Sequence, residues 1–456
     1  MSAPGPGAGE APALPDTVAD PGRIAGLAQE MRSGGLSASE LVDRCFARIA
    51  GVDGQVRAFC QPVEASARME ALACDTEREA GRLRGRLHGI PVAIKDVFDI
   101  AGLPTHAGSP TRADAAPAGA DSWIVSALRA AGAIVVGKVH TTEFAFFERP
   151  APTRNPHDLA HTPGGSSSGS AAAVASGMVP LAVGTQTAGS VSRPAAYCGI
   201  GAFKPSTLSL PGYGLLPLAP SFDTPGFFGY RLADAVAAFT AVAPPYLRPS
   251  APPAEGSGID GLPVVMLDDP LYGAADADMQ RALEQAAGVL SANGCRLRAM
   301  PSPVALSRIL DAHRTVMEYE LARVQEALQA APLEDVALAL RDAIARGGWI
   351  EADAYRAALA ELAEARALLA RALPAGAILL LPPAPAPAPA GMATGDPRFI
   401  IPFTALGGPI ASLNVDRNRQ GLPLGVMLAG LPGQDLTFAR TACDIAGLVE
   451  RPPEAV

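Results

Sequence analysis

The chain has 456 residues, 49% hydrophobic and 18% charged, which supplies material for a large core and excludes disorder as its main state. Lys and Arg number 36 against 45 Asp and Glu, a formal net charge of −9. That is the wrong sign for a protein that lives on phosphate backbones or anionic lipid, and 5% aromatic residues leave little for base-stacking platforms.

The chain starts MSAPGPGAGEAPALPD, with no basic segment before an apolar core, so residues 1–20 are expected to form a flexible tail and not a secretory signal. The folded domain is then expected over 21–456. From Leu36, apolar Leu41, Cys45, Phe46 and Ile49 fall at helical spacing, and Ser37 with Glu40 forms a capping-box pattern at the helix start. In GIPVAIKDVFDIAG, Ile90, Val92 and Ile94 alternate with Pro91, Ala93 and Lys95, which predicts a strand with Lys95 at its end. A helix around Ser122 to Ala131, an apolar strand in AGAIVVGKVH, a helix over Ser170 to Ser176 and a strand in MVPLAVGT follow. This alternation predicts an α/β protein: a single large domain with a mixed, largely parallel β-sheet flanked by α-helices on both faces.

A loop rich in Pro and Ser, Ala243 to Gly258, precedes a strand in GLPVVMLDD. Two amphipathic stretches, Val304 to Ala330 and Leu333 to Ala372, read as a hairpin-like helical excursion. Strands return in AILLLP, IASLNVD and LPLGVMLAG. The longest apolar stretch, 375–391, holds five prolines and cannot run as a spanning helix. Six cysteines, at 45, 60, 74, 198, 295 and 443, show neither close pairs nor CxxC spacing, so no disulfide framework is expected and the compartment reads as reducing and cytoplasmic.

Thr153 to Ser206 is where glycine and serine crowd. Gly164, Gly165 and Gly169 bracket three serines at a predicted helix N-terminus, and TAGS at 187–190 directly follows a strand. Such turns let successive backbone N–H groups converge on one point, as an oxyanion site requires. Neither GxGxxG nor GxxxxGK[ST] occurs, so a phosphate cradle is disfavoured. His157 and His161 are four apart, but Pro156 and Pro163 frame them in a loop without a third ligand, so no metal is expected. Asn155-Pro156 reads as a structural turn, Cys198 as a core residue, and Ser167 or Ser168 as a helix cap. His88, His106, His140 and His313 are scattered, and a Ser-His-Asp arrangement would need tertiary contacts that sequence alone does not supply.

The strings GIPVAIKD, PGGSSSGSAAAVASG, GTQTAGSVSRPAAYCG and GAFKPS together resemble the amidase signature family of serine hydrolases. The resemblance covers Leu36 to Ser206, with a weaker echo in PFTALGGPIASLNVDRNRQGLPLGVMLAGLPGQDL, while Ala243 to about Pro397 carries no matching motif. It implies a signature core at about 85–206 and a variable, substrate-facing helical region at about 300–373. It also implies a Ser-Ser-Lys triad: Ser190 attacks the carbonyl, Ser166 follows a cis Gly165–Ser166 bond and relays protons, and Lys95 is the ultimate base. The oxyanion would be received by N–H groups of Thr187, Ala188, Gly189 and Ser190. A serine hydroxyl needs such a base, and a lysine serves only if burial brings its pKa from ~10.4 toward neutrality.

The implied activity is hydrolysis of small-molecule amides through a Ser190 acyl-enzyme, without cofactor, metal, nucleic acid or membrane. Urethanase, aryl carbamate or ester hydrolysis by the same attack is the runner-up; further readings are a glutamine amidotransferase subunit or a non-catalytic binding protein of the same fold. A homodimer is the base-rate assembly. The more usual family text is Asp-Thr-Gly-Gly-Ser-Ile-Arg; here Gln186, Ala188 and Ser192 depart from it and the arginine is displaced to Arg193. Arg193 is read either as a carboxylate-binding substrate contact or as a buried ion-pair residue. Phe144 and Phe146, with Phe147, are read as packing residues or as lining of an acyl or leaving-group pocket.

Overall fold

The computed structural model describes residues 24–147, 149–247 and 258–451. The expected tail at 1–20 and most of the Pro/Ser-rich loop lie outside the described residues. Helices α1 (Ile24–Ser33) and α2 (Ala38–Val56) lead into strand β1 (Phe59–Pro62) and α3 (Glu64–Glu79). The capping box at α2 forms: Ser37 N donates to the Glu40 carboxylate and Glu40 N donates to Ser37 Oγ. Leu41, Cys45, Phe46 and Ile49 are buried along one face.

The next block alternates strand and helix: β2 (Pro91–Lys95), α4 (Trp123–Ala130), β3 (Ile134–Val139), α5 (Ser168–Ala175), β4 (Leu181–Gln186), α6 (Ser192–Cys198) and β5 (Gly201–Lys204). Then come β6 (Thr224–Gly229), α7 (Leu232–Val242), β7 (Pro263–Asp268), α8 (Ala277–Ala292) and β8 (Arg296–Pro301). The helical excursion is α9 (Leu306–Val324), α10 (Leu338–Gly348) and α11 (Ala352–Ala372). The stretch from Leu333 to Ala372 is thus two helices, interrupted where Gly347 packs against the α9 backbone. The chain closes with β9 (Ile378–Leu381), α12 (Ile401–Ala405), β10 (Ile410–Arg417), β11 (Pro423–Ala429) and α13 (Asp435–Val449).

The eleven strands among the described residues join one sheet in the order β1-β3-β2-β4-β6-β5-β10-β11-β9-β7-β8. Helices pack on it throughout, α7 on β5 and β6, and α6 on β10 and β11. The sheet is mixed as expected, but it is not largely parallel. β2 pairs in parallel with β3 and β4, and β7 with β8 and β9; the other six pairings are antiparallel. The reason is physical. Central strands covered on both faces read as unbroken apolar runs whichever way they point, and β5, β6 and β11 are buried at every position. The parallel trio β3-β2-β4 is the part that positions the site, because ligands of parallel sheets gather at the strands' carboxyl ends.

Candidate active site

Lys95 is the last residue of β2, and the neighbouring β4 brings Thr185 alongside it. The Lys95 side chain is 0% exposed, and its Nζ donates to Ser166 Oγ at 2.8 Å and to Thr185 Oγ1 at 2.7 Å. Burial brings its pKa down to about 7, against an upward pull from Asp223. The next residue, Asp96, is not a second base. Its carboxylate pairs with Lys138 at 2.8 Å and accepts from His106 N and Ala107 N, which fixes the backbone just past Lys95.

Ser166 follows a cis Gly165–Ser166 peptide bond and is 3% exposed. Its carbonyl accepts from Thr142 N at 3.3 Å. The expected helix cap does not form. Ser167 Oγ bonds instead with the Thr185 backbone, and Ser168 Oγ donates to Gly164 O at 2.7 Å, so both serines tie α5 to the core. Gly184 on β4 makes this approach feasible, since a Cβ there would run into Ser167 Oγ and the Phe228 ring.

Ser190 sits in the turn between β4 and α6, is 4% exposed, and its hydroxyl makes no hydrogen bond to a described residue. Two contacts hold this turn. Gln186 Oε1 accepts from Val191 N and Ser192 N at 2.8 and 2.9 Å, and Arg193 Nη2 donates to Gly165 O at 2.7 Å, tethering the start of α6 to the Ser166 peptide. The N–H groups of Ala188, Gly189 and Ser190 donate to no described residue.

Arg193 is 0% exposed, and among the described residues its Nε and Nη1 have no hydrogen-bond partner; burial brings its pKa to about 10, while Tyr197 and Asp396 favour its charge. Phe144 and Phe146 are buried in the main core, on the turn that starts at Thr142. Phe144 and Ala145 both adopt positive φ, a cost that a bulky residue bears only under tertiary constraint. Asn155 is buried, donating to Thr162 O and Tyr197 O and accepting from His157 N, as a structural turn would. Cys198 is buried, with its thiol pKa pushed above the usual range by desolvation, and all six cysteines are unbridged. His157 bonds to Cys198 O and His161 pairs with Asp158; among the described residues no group of three or more His, Cys, Asp or Glu is placed to hold a metal. Among the same residues, no helix is long and apolar enough to cross a membrane.

Four residues here carried no local signal. Thr185 completes the Lys95 pair; Asp223 accepts from Thr187 Oγ1 at 2.5 Å; Thr404 Oγ1 donates to Ala188 O at 2.6 Å; and His313 reaches Thr187 O at 2.9 Å. Each contact spans 36 residues or more along the chain, so only the fold reveals it.

A serine and a buried lysine of depressed pKa stand at hydrogen-bond distance beside a glycine-containing turn, and the amidase family model matches residues 40–438. The chain belongs to the amidase family. It is 38% identical over 265 residues to a subunit of the glutamyl-tRNA(Gln) amidotransferase of Anaeromyxobacter sp. (strain K), covering 55% of this chain and 54% of that protein. It is 41% identical over 216 residues to AtzE, a subunit of the 1-carboxybiuret hydrolase of Pseudomonas sp. (strain ADP), covering 46% of each. These matches span about half the length of the curated relatives. The native peptide amidase of Stenotrophomonas maltophilia superposes with a TM-score of 0.80 at 27% identity, covering 94% of this chain and 98% of that one.

Proposed function

We propose that the protein hydrolyses small-molecule amides through an acyl-enzyme on Ser190. The observation that carries this is the Lys95–Ser166 hydrogen bond, made by a fully buried lysine whose pKa lies near 7. Near neutral pH a substantial fraction of Lys95 is the free amine, and its lone pair accepts the Ser166 proton. Ser166 in turn takes the proton from Ser190 as that oxygen attacks the carbonyl carbon. The C–N bond then breaks, and the proton returns through Ser166 to the leaving amine. Water repeats the cycle on the ester of Ser190, so one amide and one water give one acid and one amine. The unpartnered N–H groups of Ala188, Gly189 and Ser190 receive the oxyanion, each such donor contributing about 3 kcal/mol in the transition state. Thr187 N–H, at the same turn, is the fourth candidate donor.

A carbamate enters by the same attack, giving a carbamoyl-enzyme that hydrolyses to an amine and carbon dioxide after the alcohol leaves. Phe144 and Phe146 are proposed as the apolar wall beside Ser166, because their turn begins at the residue bonded to the Ser166 carbonyl. For Arg193, two unpartnered nitrogens favour an anionic substrate group, whereas its complete burial and its bond to Gly165 O favour a structural role at the Ser166 peptide.

The test is mass-spectrometric detection of products from an anilide, an aryl carbamate, an aryl ester, a primary amide and glutamine, with wild type beside Ser190→Ala. Turnover of the anilide or primary amide, abolished in the variant, is expected. Release of ammonia from glutamine alone would move the reading to an amidotransferase component, and no turnover of any compound would move it to a binding protein.

A further inference from the structure

The turn between β4 and α6 presents three backbone N–H groups in sequence, and what aims them can be read from the carbonyls that precede them. In a trans peptide the N–H points opposite to the carbonyl of the same plane, so a group that holds the carbonyl also sets the N–H. All three carbonyls are held. Thr187 O accepts from His313 Nε2 at 2.9 Å, Ala188 O from Thr404 Oγ1 at 2.6 Å, and Gly189 O from Arg193 N at 3.0 Å. The third bond is the first turn of α6 and comes with the helix. The other two come from side chains 126 and 216 residues further along the chain, on α9 and α12.

Both side chains are built for this contact. A carbonyl oxygen has no proton to give, so His313 must carry its own on Nε2. The ring is 2% exposed and stacked on Phe222 with centroids 4.4 Å apart, which fixes its plane. Burial brings its pKa to about 4, so it is neutral in the working range. Thr404 is buried and accepts from Gln186 Nε2 at 2.9 Å, which leaves its hydroxyl proton for Ala188 O. Gln186 faces the other way to hold Val191 N and Ser192 N, so one neutral chain of hydrogen bonds frames the turn.

We propose that His313 and Thr404 are positioning residues for the oxyanion site, locking the Thr187–Ala188 and Ala188–Gly189 peptides so that the Ala188 and Gly189 N–H groups converge on the substrate oxygen. This rests on Ser190 being the nucleophile. It gives the helical region a part in the rate as well as in substrate choice, because α9 supplies one of the two locks.

The experiment compares His313→Leu with His313→Gln, and Thr404→Val with Thr404→Ser, in the full chain. It reads kcat and KM on an anilide, the inhibition constant of a trifluoromethyl ketone that forms a tetrahedral serine adduct, and Tm. The expected result for Leu and Val is a kcat loss on the order of 10²-fold, KM within about twofold, and ketone affinity weakened in parallel. The Gln and Ser variants, which keep an N–H or O–H for the carbonyl, recover most of both. The proposal is overturned if Leu and Val keep kcat and ketone affinity within about twofold of wild type. It is equally overturned if Gln and Ser lose as much as Leu and Val. Should His313→Leu fail to fold, the near-isosteric Thr404 pair decides. A Ser190→Ala variant run alongside separates the two readings: if it stays active, the nucleophile assignment has failed; if it is dead while the Leu and Val variants match wild type, only the positioning role has.

Discussion

Lys95 shows how one side chain is made useful by what surrounds it. An exposed lysine is a cation at pH 7 and accepts no proton; here complete burial penalises the charged form and brings its pKa to about 7. The sign of the pH effect follows. Below about 7 the amine is protonated and Ser166 has no base, so kcat/KM should fall about tenfold per pH unit on the acid side and level off above. Lys95→Ala should lower activity and remove that limb, and Lys95→Arg, which stays cationic, should be inactive with fold intact. A pH–rate profile of wild type and both variants checks this; an acid limb that survives in Lys95→Ala would assign the base elsewhere. Lys138 is equally buried but serves differently, its ammonium spent on Asp96, Pro104 O and Thr105 Oγ1. Two buried lysines on adjacent strands thus differ in their partners: Lys95 meets two hydroxyls, while Lys138 meets a carboxylate.

The helical excursion is held to the core by specific contacts. The Glu143 carboxylate accepts from Ser109 Oγ, from Arg149 and from Ala337 N at the start of α10, and Arg149 donates to Glu334 O and Asp335 O. The turn next to Ser166 and the helical region therefore share one polar clamp. Within that region α10 lies so close to α9 that a Cβ on Gly347 would overlap the Glu318 carbonyl, whereas Gly348 has open space around it. Gly347→Ala should destabilise by about 2–3 kcal/mol and lower kcat, because α9 carries His313. Gly348→Ala should stay within about 0.5 kcal/mol of wild type. Thermal unfolding and kcat of the two variants check this, and equal Tm values would contradict the close packing. At this scale the sequence was informative where the pattern is local. The capping box at Ser37 and Glu40, the Lys95 strand and the helix expected at Ser170 to Ser176, observed at Ser168–Ala175, were legible, because each signal lies within a few residues. His313, Thr404 and Thr185 were not, because a lone His or Thr in a helix or strand has no local signature and its partner lies 90 residues or more away.

Across the whole molecule, strands of both halves of the chain interleave in a single sheet. β10, from the last fifth of the chain, pairs with β5 on one side and β11 on the other. One hydrophobic cluster runs from Ile24 to Val449, so the halves should unfold together. In a Trp349→Phe variant, where Trp123 on α4 is the only fluorophore of its kind, fluorescence reports the first half and far-UV dichroism is weighted to the helices of the second. The two transitions should coincide in denaturant; midpoints separated beyond error would mean two domains. The α/β class was legible in the alternation of apolar runs, but strand direction was not, since burial on both faces erases the pattern that distinguishes the two ladders.

The central claim is that Ser190 carries the acyl group, and trapping it is the most direct measurement. Incubation with a slowly deacylating aryl carbamate, followed by intact-protein and peptide mass spectrometry, should show one carbamoyl group per chain on the peptide containing Ser190. The adduct should be absent in Ser190→Ala and form far more slowly in Ser166→Ala, with no adduct on Ser166 itself. A stoichiometric adduct on Ser166 or another residue, or sustained turnover by Ser190→Ala, would contradict the assignment.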